Sequence, residues 1–335
     1  MGWLTGYAAR WRICRVDERT WADSGDLEGV RSVSVSRSCE AAVPLLEEGS
    51  MTVQGGFEGG YHRIYMYAEG NREAIATLLF ERARRSDEGD ECSGYSVLKP
   101  CDDMKMASFP LPYVPAGEDG AQWAGDILSH CTPAPVVVSC SFTLNDDYVF
   151  DPSHTCLEEA WGLLDAGGCC IQVDGTGIIH IMEMPDKPDL VLDSTTVSLV
   201  ISNAEVDDDI SGVPNKYYAT DGASTSVAIN DDPTSPVGYQ QRGRWVEKYD
   251  NNPVLVNGET LDAYAERRLE EASSGVKRTV EYRREYWPGV LPFSLVLGRL
   301  PEANIEGDMR VVAQSLECGK GIVVTETAVQ EVSYL

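Results

Sequence analysis

The sequence predicts a mainly β protein with a smaller α/β unit set between two β-rich regions. Three observations carry that expectation. The first hundred residues alternate apolar and polar side chains, the period of a half-buried strand. After the proline-rich "FPLPYVPAGEDG" the apolar spacing shifts to three and four residues, the period of a helix. From about residue 191 the two-residue alternation returns.

In the first region "RSVSVSRS" places Val33 and Val35 between serines. "GSMTVQGG" and "YHRIYMYAEG" continue the pattern. In the second of these, Tyr61, Arg63, Tyr65 and Tyr67 fall on one face, with His62, Ile64 and Met66 on the other. "IATLLFERA" is a further strand, and Gly55-Gly56 and Gly59-Gly60 suit hairpin turns. The polar "SDEGDECSG" reads as an exposed loop. The expected result is an antiparallel sheet closing into a barrel or sandwich.

The middle region opens with a helix over 121–131, whose Ala124, Ile127, Leu128 and Cys131 share a face. "APVVVSCSF" is a short apolar strand. Thr155 followed three residues later by Glu158 has capping-box spacing. Leu157, Ala160, Trp161 and Leu164 form the stripe of that second helix, and Gly167 is expected to end it in the left-handed conformation. "CIQVDGTGIIHIM" reads as a hairpin turning at Asp174-Gly175.

In the last region "TTVSLVISNAEV", "NKYYATD" and "TSVAIND" read as strands, with the acidic "DDDISG" as a loop. A helix over 261–272, capped by Thr260, aligns Leu261, Tyr264, Ala265, Leu269 and Ala272. The sheet that follows it is the expected support. Four strands are predicted there, at 276–286, 295–300, 309–317 and 322–332. On the first of these, Val280, Tyr282 and Tyr286 are expected to face the core beneath the helix, with Glu281, Arg283 and Glu285 facing away.

Composition narrows the function. The chain has 335 residues, 43% of them hydrophobic, which is enough for two or three cored domains and excludes a disordered chain. Its net charge of −27 argues against a nucleic-acid grip, which needs concentrated Lys and Arg. No apolar run reaches membrane-spanning length, and "MGWLTGYAARWRICRV" lacks a signal-peptide core, so a soluble protein made in a cytoplasm is expected. The ten cysteines are scattered apart from Cys169-Cys170 and have no zinc spacing, which suggests buried thiols in a reducing compartment.

Catalytic and metal chemistry find little support. Asp207-Asp208-Asp209, Asp231-Asp232 and Asp102-Asp103 could offer oxygen ligands to calcium, but none fits an EF-hand loop. His62, His130, His154 and His180 lie far apart, and no G-x-S-x-G, H-E-x-x-H or Walker-type loop occurs. No catalytic, cofactor-binding or metal-binding residue is therefore assigned, and the protein is expected not to be an enzyme.

Several stretches, taken in order, resemble bacteriophage tail baseplate hub proteins. They are "PLLEEGSMTVQ", "GYSVLKPCDDMKMASFPLPYVPAGED", "SHTCLEEAWGLLDAGGCCIQVDGTGIIHI", "VPNKYYAT" and the long tract from "TLDAYAERRLEEASSGVKRTVEYRREYWPGV" to "VTETAVQEVSYL". The similarity covers nearly the whole chain as diffuse patterning and stops at Leu335 without an appended lysin.

The resemblance implies a homotrimer in which each subunit supplies two tube-type β-barrel domains, here 1–112 and 191–335, flanking an α/β insert at 113–190. Six barrels then form a ring that adapts a sixfold tail tube to a threefold tip and lines part of the DNA ejection channel. The implied partners are a distal tail protein ring, a tape measure protein and tip fibre or receptor-binding proteins, with DNA passing through unbound. The implied location is the virion tail. Glu281, Arg283, Glu285, Tyr286 and Trp287 are the candidate interface or lumen residues, and the acidity is expected to repel DNA from the channel wall. A tail-associated cell-wall hydrolase and a hexameric distal tail protein with one barrel per chain are the alternatives.

Overall fold

The computed structural model describes residues 10–39, 48–54, 57–68, 71–86, 89–193, 205–208, 211–273, 276–287, 289–301, 305–318 and 322–332. The first β region holds β1 (Arg10–Val16), β2 (Asp23–Leu27), β3 (Val30–Ser38), β4 (Glu48–Val53), β5 (Gly60–Ala68), β6 (Asn71–Ser86) and β7 (Gly89–Ser96). The mixed region holds α1 (Lys99–Asp103), a 3-10 turn at Met106–Ser108, β8 (Tyr113–Val114), α2 (Gly120–Cys131), β9 (Val136–Val138), β10 (Tyr148–Val149), α3 (Cys156–Ala166), β11 (Cys169–Val173) and β12 (Ile179–Glu183). After it come β13 (Pro188–Asp193), β14 (Glu205–Asp208), β15 (Lys216–Thr220), β16 (Thr225–Ile229), α4 (Tyr239–Arg242), β17 (Glu247–Asn251) and α5 (Leu261–Ser273). The chain closes with β18 (Val276–Glu285), β19 (Leu295–Leu300), β20 (Ile305–Cys318) and β21 (Ile322–Val332).

Strands dominate, as the alternating patterns predict. Thirteen of them join one sheet in the order β14-β18-β21-β20-β3-β4-β7-β6-β5-β1-β2, with β19 also bound to β20 and β13 running parallel to β19. The two β-rich ends of the chain therefore meet within a single ladder. Their seam is the antiparallel pair β3 and β20, in which Val35 lies opposite Leu316 and Ser38 opposite Ala313. The core of the first half is completed from the far end of the chain. Ile13, Val33, Val35, Met51, Ile64, Leu78 and Phe80 pack with Tyr286, Leu316 and Val324. A second core gathers Leu192, Val280, Tyr282, Val296, Leu300, Met309 and Val311.

The mixed region is built as its local signals dictate. Asp119 accepts hydrogen bonds from the Ala121 and Gln122 amides at the start of α2. Thr155 and Glu158 form the reciprocal capping box of α3, with the Glu158 amide donating to Thr155 Oγ1 and the Thr155 amide donating to the Glu158 carboxylate. Ile127, Leu128, Leu157, Ala160 and Leu164 are buried together over β11 and β12. Each fully buried aliphatic side chain contributes roughly 1.5–3 kcal/mol. Trp161 stacks on Phe293 with ring centres 5.7 Å apart, joining α3 to the C-terminal half.

Several elements depart from the sequence reading. Gly167 caps α3 at φ −86°, and the left-handed residue is the next one, Gly168, at φ +67°. The hairpin of β11 and β12 turns over 174–178, with Gly177 at positive φ. Both faces of β5 are buried, because one meets the sheet core and the other meets the mixed region. The tract "GDECSGYS" is strand β7, paired with both β4 and β6, so its polarity does not mark a loop. Glu205–Asp208 is likewise a strand, paired with β18. The expected strand at 195–204 lies outside the described residues. Strands β1, β2, β8, β10, β13 and β17 lie outside the elements expected from the sequence.

The largest departure concerns α5. Its Tyr264, Ala265 and Leu269 pack on Tyr217, Ala219 and Ala228 of β15 and β16. Those strands and β17 make a separate three-stranded sheet, β16-β15-β17. The helix thus rests on the strands before it. Val280, Tyr282 and Tyr286 are buried as expected, but beneath other strands of the large sheet and not beneath α5.

Candidate assembly surface

Strand β18 carries the sequence-based candidates. It lies between β14 and β21, with Glu281 opposite Glu205 and Thr327, and Arg283 opposite Thr325. Glu281 and Arg283 are exposed, and Glu285 is half-buried. Burial pushes the Glu285 carboxyl above its usual range, and its Oε2 has no hydrogen-bond partner. Tyr286 is only 4% exposed and sits in the chain's own core. Trp287 is half-buried against the second core. The candidates are therefore split, two on an open face and the others turned inward to different degrees.

The alternation that buries Tyr282 also buries Arg284, a residue the sequence reading passed over. Arg284 and Glu326 are both 0% exposed. Arg284 donates through Nε to Glu326 Oε2 at 2.6 Å and through its Nη2 to Glu326 Oε1. Its Nη1 donates to the Glu285 carbonyl at 2.7 Å. Gln314 Nε2 donates to Glu326 Oε1 at 2.6 Å and to the Val290 carbonyl at 2.8 Å. Register alignment puts Arg37, Gln314, Glu326 and Tyr282 in one row across β3, β20, β21 and β18. This buried polar row crosses the seam between the two halves. Its signal in the sequence was the in-phase Arg284, which period alone assigned to the interior.

The hairpin of the mixed region is fastened to the first β region by polar contacts. The Trp21 indole N–H donates to the Thr176 carbonyl at 2.9 Å, and Arg63 Nη2 donates to the same oxygen at 2.8 Å. Thr77 Oγ1 donates to the Gly175 carbonyl at 3.0 Å. Arg63 also pairs with Asp23 at 2.9 Å. A Cβ on Gly175 would lie 1.8 Å from the Ala74 carbonyl oxygen, so this position requires glycine by close approach.

Groups capable of chemistry are engaged structurally. Glu159 is buried and accepts from Tyr148 Oη at 2.8 Å and the Asp151 amide at 3.1 Å, with His154 Nδ1 2.7 Å away. That set ties the 148–154 segment to α3. His180 lies 2.9 Å from Asp174, whose carboxyl is held below its usual range against the opposing effect of burial by bonds from Thr176, His180 and Ile178. A cavity of about 400 Å³ opens beside β1 and β5, lined by Arg15, Asp17, Glu18, Tyr61 and His62 among others. His62 is buried between Phe57 and Phe80, and that burial lowers its pKa.

All ten cysteines are thiols rather than disulfides. Burial pushes Cys92 up to about 11 and Cys170 and Cys318 up to about 12, far from nucleophilic thiolates. Cys131, raised first by the neighbouring Cys101, also goes up to about 12. Among the described residues no group of three or more His, Cys, Asp or Glu is placed to hold a metal ion. No helix among them is long and apolar enough to cross a membrane.

This architecture, a 13-stranded sheet assembled from both ends of the chain with an α/β unit, has the overall fold of two phage tail proteins. The 43 kDa tail protein of prophage MuSo2 from Shewanella oneidensis superposes with a TM-score of 0.67 at 15% identity, over 96% of each chain. A tail protein from Neisseria meningitidis matches with a TM-score of 0.69 at 14% identity, over 97% of each chain. The Escherichia coli c3393 protein, a type VI secretion component described as structurally similar to phage T4 tail proteins gp27 and gp5, matches at 0.50 and 11% identity, over 91% of this chain and 75% of its own. No protein-family model matches the sequence, and no curated protein matches it.

Proposed function

We infer that the chain is a structural protein of a phage tail tip, a trimeric baseplate hub that closes the end of the tail tube and adapts its sixfold symmetry to a threefold tip. The observation that carries this reading is the match to two tail proteins over at least 96% of both partners. The meeting of two β-rich regions in one sheet supports it, since a hub subunit must offer two tube-type units to a sixfold neighbour. Residues 1–112 and 191–335 are the proposed tube-type domains, with 113–190 between them. The protein is made in the host cytoplasm and resides in the virion tail, beside a distal tail ring, a tape measure protein and tip fibre or receptor-binding proteins.

Glu281 and Arg283, on the open face of β18, are the proposed contact or lumen positions. The net charge of −27 suits a channel wall from which DNA is repelled. The test is the mass of the purified protein by light scattering, followed by class averages of the particles. Three chains in a ring with six β lobes are expected. Six chains with one lobe each would make it a distal tail ring protein. Turnover of peptidoglycan that is lost on replacing His154 would make it a hydrolase.

A further inference from the structure

We propose that the outer face of the β16-β15-β17 sheet is one half of a head-to-tail contact between copies of this chain, and that the other half is the two-stranded β8–β10 sheet. This inference rests on the trimer reading above and specifies which surfaces build it.

The small sheet has two unlike faces. Its inner face, Tyr217, Ala219 and Ala228, is covered by α5. On its outer face register alignment places Val227, Tyr218 and Tyr249 in one row across all three strands. Val227, Ile229 and Tyr249 are exposed, Tyr249 by 54%. Beside them Trp245 stacks on Tyr239 with ring centres 4.2 Å apart, and both rings are open to solvent. Five of the ten exposed large hydrophobic residues of the described chain thus lie on this one small unit. A contiguous apolar patch of this kind on a water-exposed sheet marks an interaction site.

Three more of the ten, Leu111, Tyr113 and Val149, sit at β8 and β10. Tyr113 and Val149 are register partners, so they lie side by side, with Val149 71% exposed. The margins differ: the sheet carries cations among carboxylates, and the β8–β10 pair carries carboxylates. Lys216 lies over the rings of Tyr218 and Trp245, at 4.8 and 5.3 Å, and pairs with Glu247 at 3.2 Å. Arg244 stands exposed next to Trp245, while Asp231 and Asp232 sit past the end of β16. Around the β8–β10 pair the exposed carboxylates are Glu118, Asp146, Asp147 and Asp151.

The occupant that fits both observations is a second copy. A closed ring of identical chains joined by heterologous contacts needs two different patches on each chain that fit one another. At −27, copies repel elsewhere, so the approach is favoured where an aromatic face bearing Lys216 and Arg244 meets an apolar patch ringed by carboxylates.

The experiment compares the wild type with Ile229→Asp and Val149→Asp by light scattering, singly and mixed in equal amounts. Both substitutions are on exposed side chains, and circular dichroism melts establish that each chain is folded. Milder Ile229→Ser and Val149→Ser variants serve if either is not. A three-chain wild type is expected, with each single variant dissociating at concentrations at least tenfold higher. In the mixture the intact β16-β15-β17 face of the Val149→Asp chain meets the intact β8–β10 pair of the Ile229→Asp chain, so a two-chain species is expected. Trimers that survive either substitution, or folded variants that fail to pair on mixing, overturn the inference and leave the trimer reading in place. A wild type that is not trimeric overturns both.

Discussion

Replacing Glu326 by leucine leaves the Arg284 guanidinium at 0% exposure without its counter-charge. At an effective dielectric of about 20, two unit charges ~4 Å apart attract by about 4 kcal/mol, and removing one partner of a buried pair generally costs about 3–5 kcal/mol. Gln314 also loses an acceptor at 2.6 Å, which places the expected loss in the upper part of that range. With an unfolding entropy of about 2.1 cal/mol/K per residue, cooperative unfolding of the whole chain gives roughly 0.7 kcal/mol/K, so Tm should fall by about 6 °C. Calorimetry of Glu326→Leu, Arg284→Met and the double variant provides the assay. Buried pairs replaced by apolar groups of similar volume are often neutral, so the double variant should lie within about 2 kcal/mol of the wild type. A single variant that melts within about 1 °C of the wild type would refute the reasoning, as would a double variant no better than the worse single.

Four further outcomes are expected. Thr155→Ala removes the side-chain half of the α3 capping box and should cost about 1 kcal/mol in chemical denaturation. Glu158 is held below its usual range, first by the Thr155 backbone hydrogen bond, so its folded pKa lies under its unfolded one. Its stabilising contribution is present above the ordinary Glu pKa and is lost as pH falls through the folded value; urea midpoints from pH 6 to 3 should show that loss in the wild type and in Thr155→Ala, which keeps the backbone donor, and not in Glu158→Gln. Gly175→Ala forces a Cβ against the Ala74 carbonyl and should destabilise by about 1–3 kcal/mol, with loss of hydrogen-exchange protection in β6 near that contact. Leu269→Ala should cost about 2–5 kcal/mol, and exchange should rise first in α5 and β15 because that core is separate from the large sheet. Arg283→Ala, on an exposed side chain, should change monomer stability by no more than about 0.5 kcal/mol.

What the sequence revealed was local. The Thr155–Glu158 box, the α2 stripe and the alternation through Val33 and Val35 depend on neighbours within a few residues, and all are present as read. What it concealed was the choice of partner. The stripe of α5 defines a face but not the sheet that receives it, and the nearer preceding strands received it. The tract of β7 is polar because two backbone ladders and single buried residues such as Cys92 fix it, without an apolar stripe. Arg284 lies in phase with Tyr282 and Tyr286, but its counter-charge is 42 residues downstream at Glu326, where no local pattern announces it. Glu281 and Arg283 were legible as outward-facing by the same phase that buries their neighbours.

The pairing of β3 with β20 sets a timetable for synthesis. Ser38 meets Ala313, about 275 residues later. At roughly 5–20 residues per second, a ribosome needs about 14–55 s between making the two strands. For that interval β3 has β4 on one side and nothing on the other, and Tyr286, Leu316 and Val324 are missing from the core it lines. The nascent N-terminal half therefore carries an open strand edge, a template for pairing with neighbouring nascent chains on the same polysome. Folding of this chain should for this reason be sensitive to translation speed and to chaperones that shield unfinished sheets, even though the finished fold pairs residues 34–38 of that edge with β20.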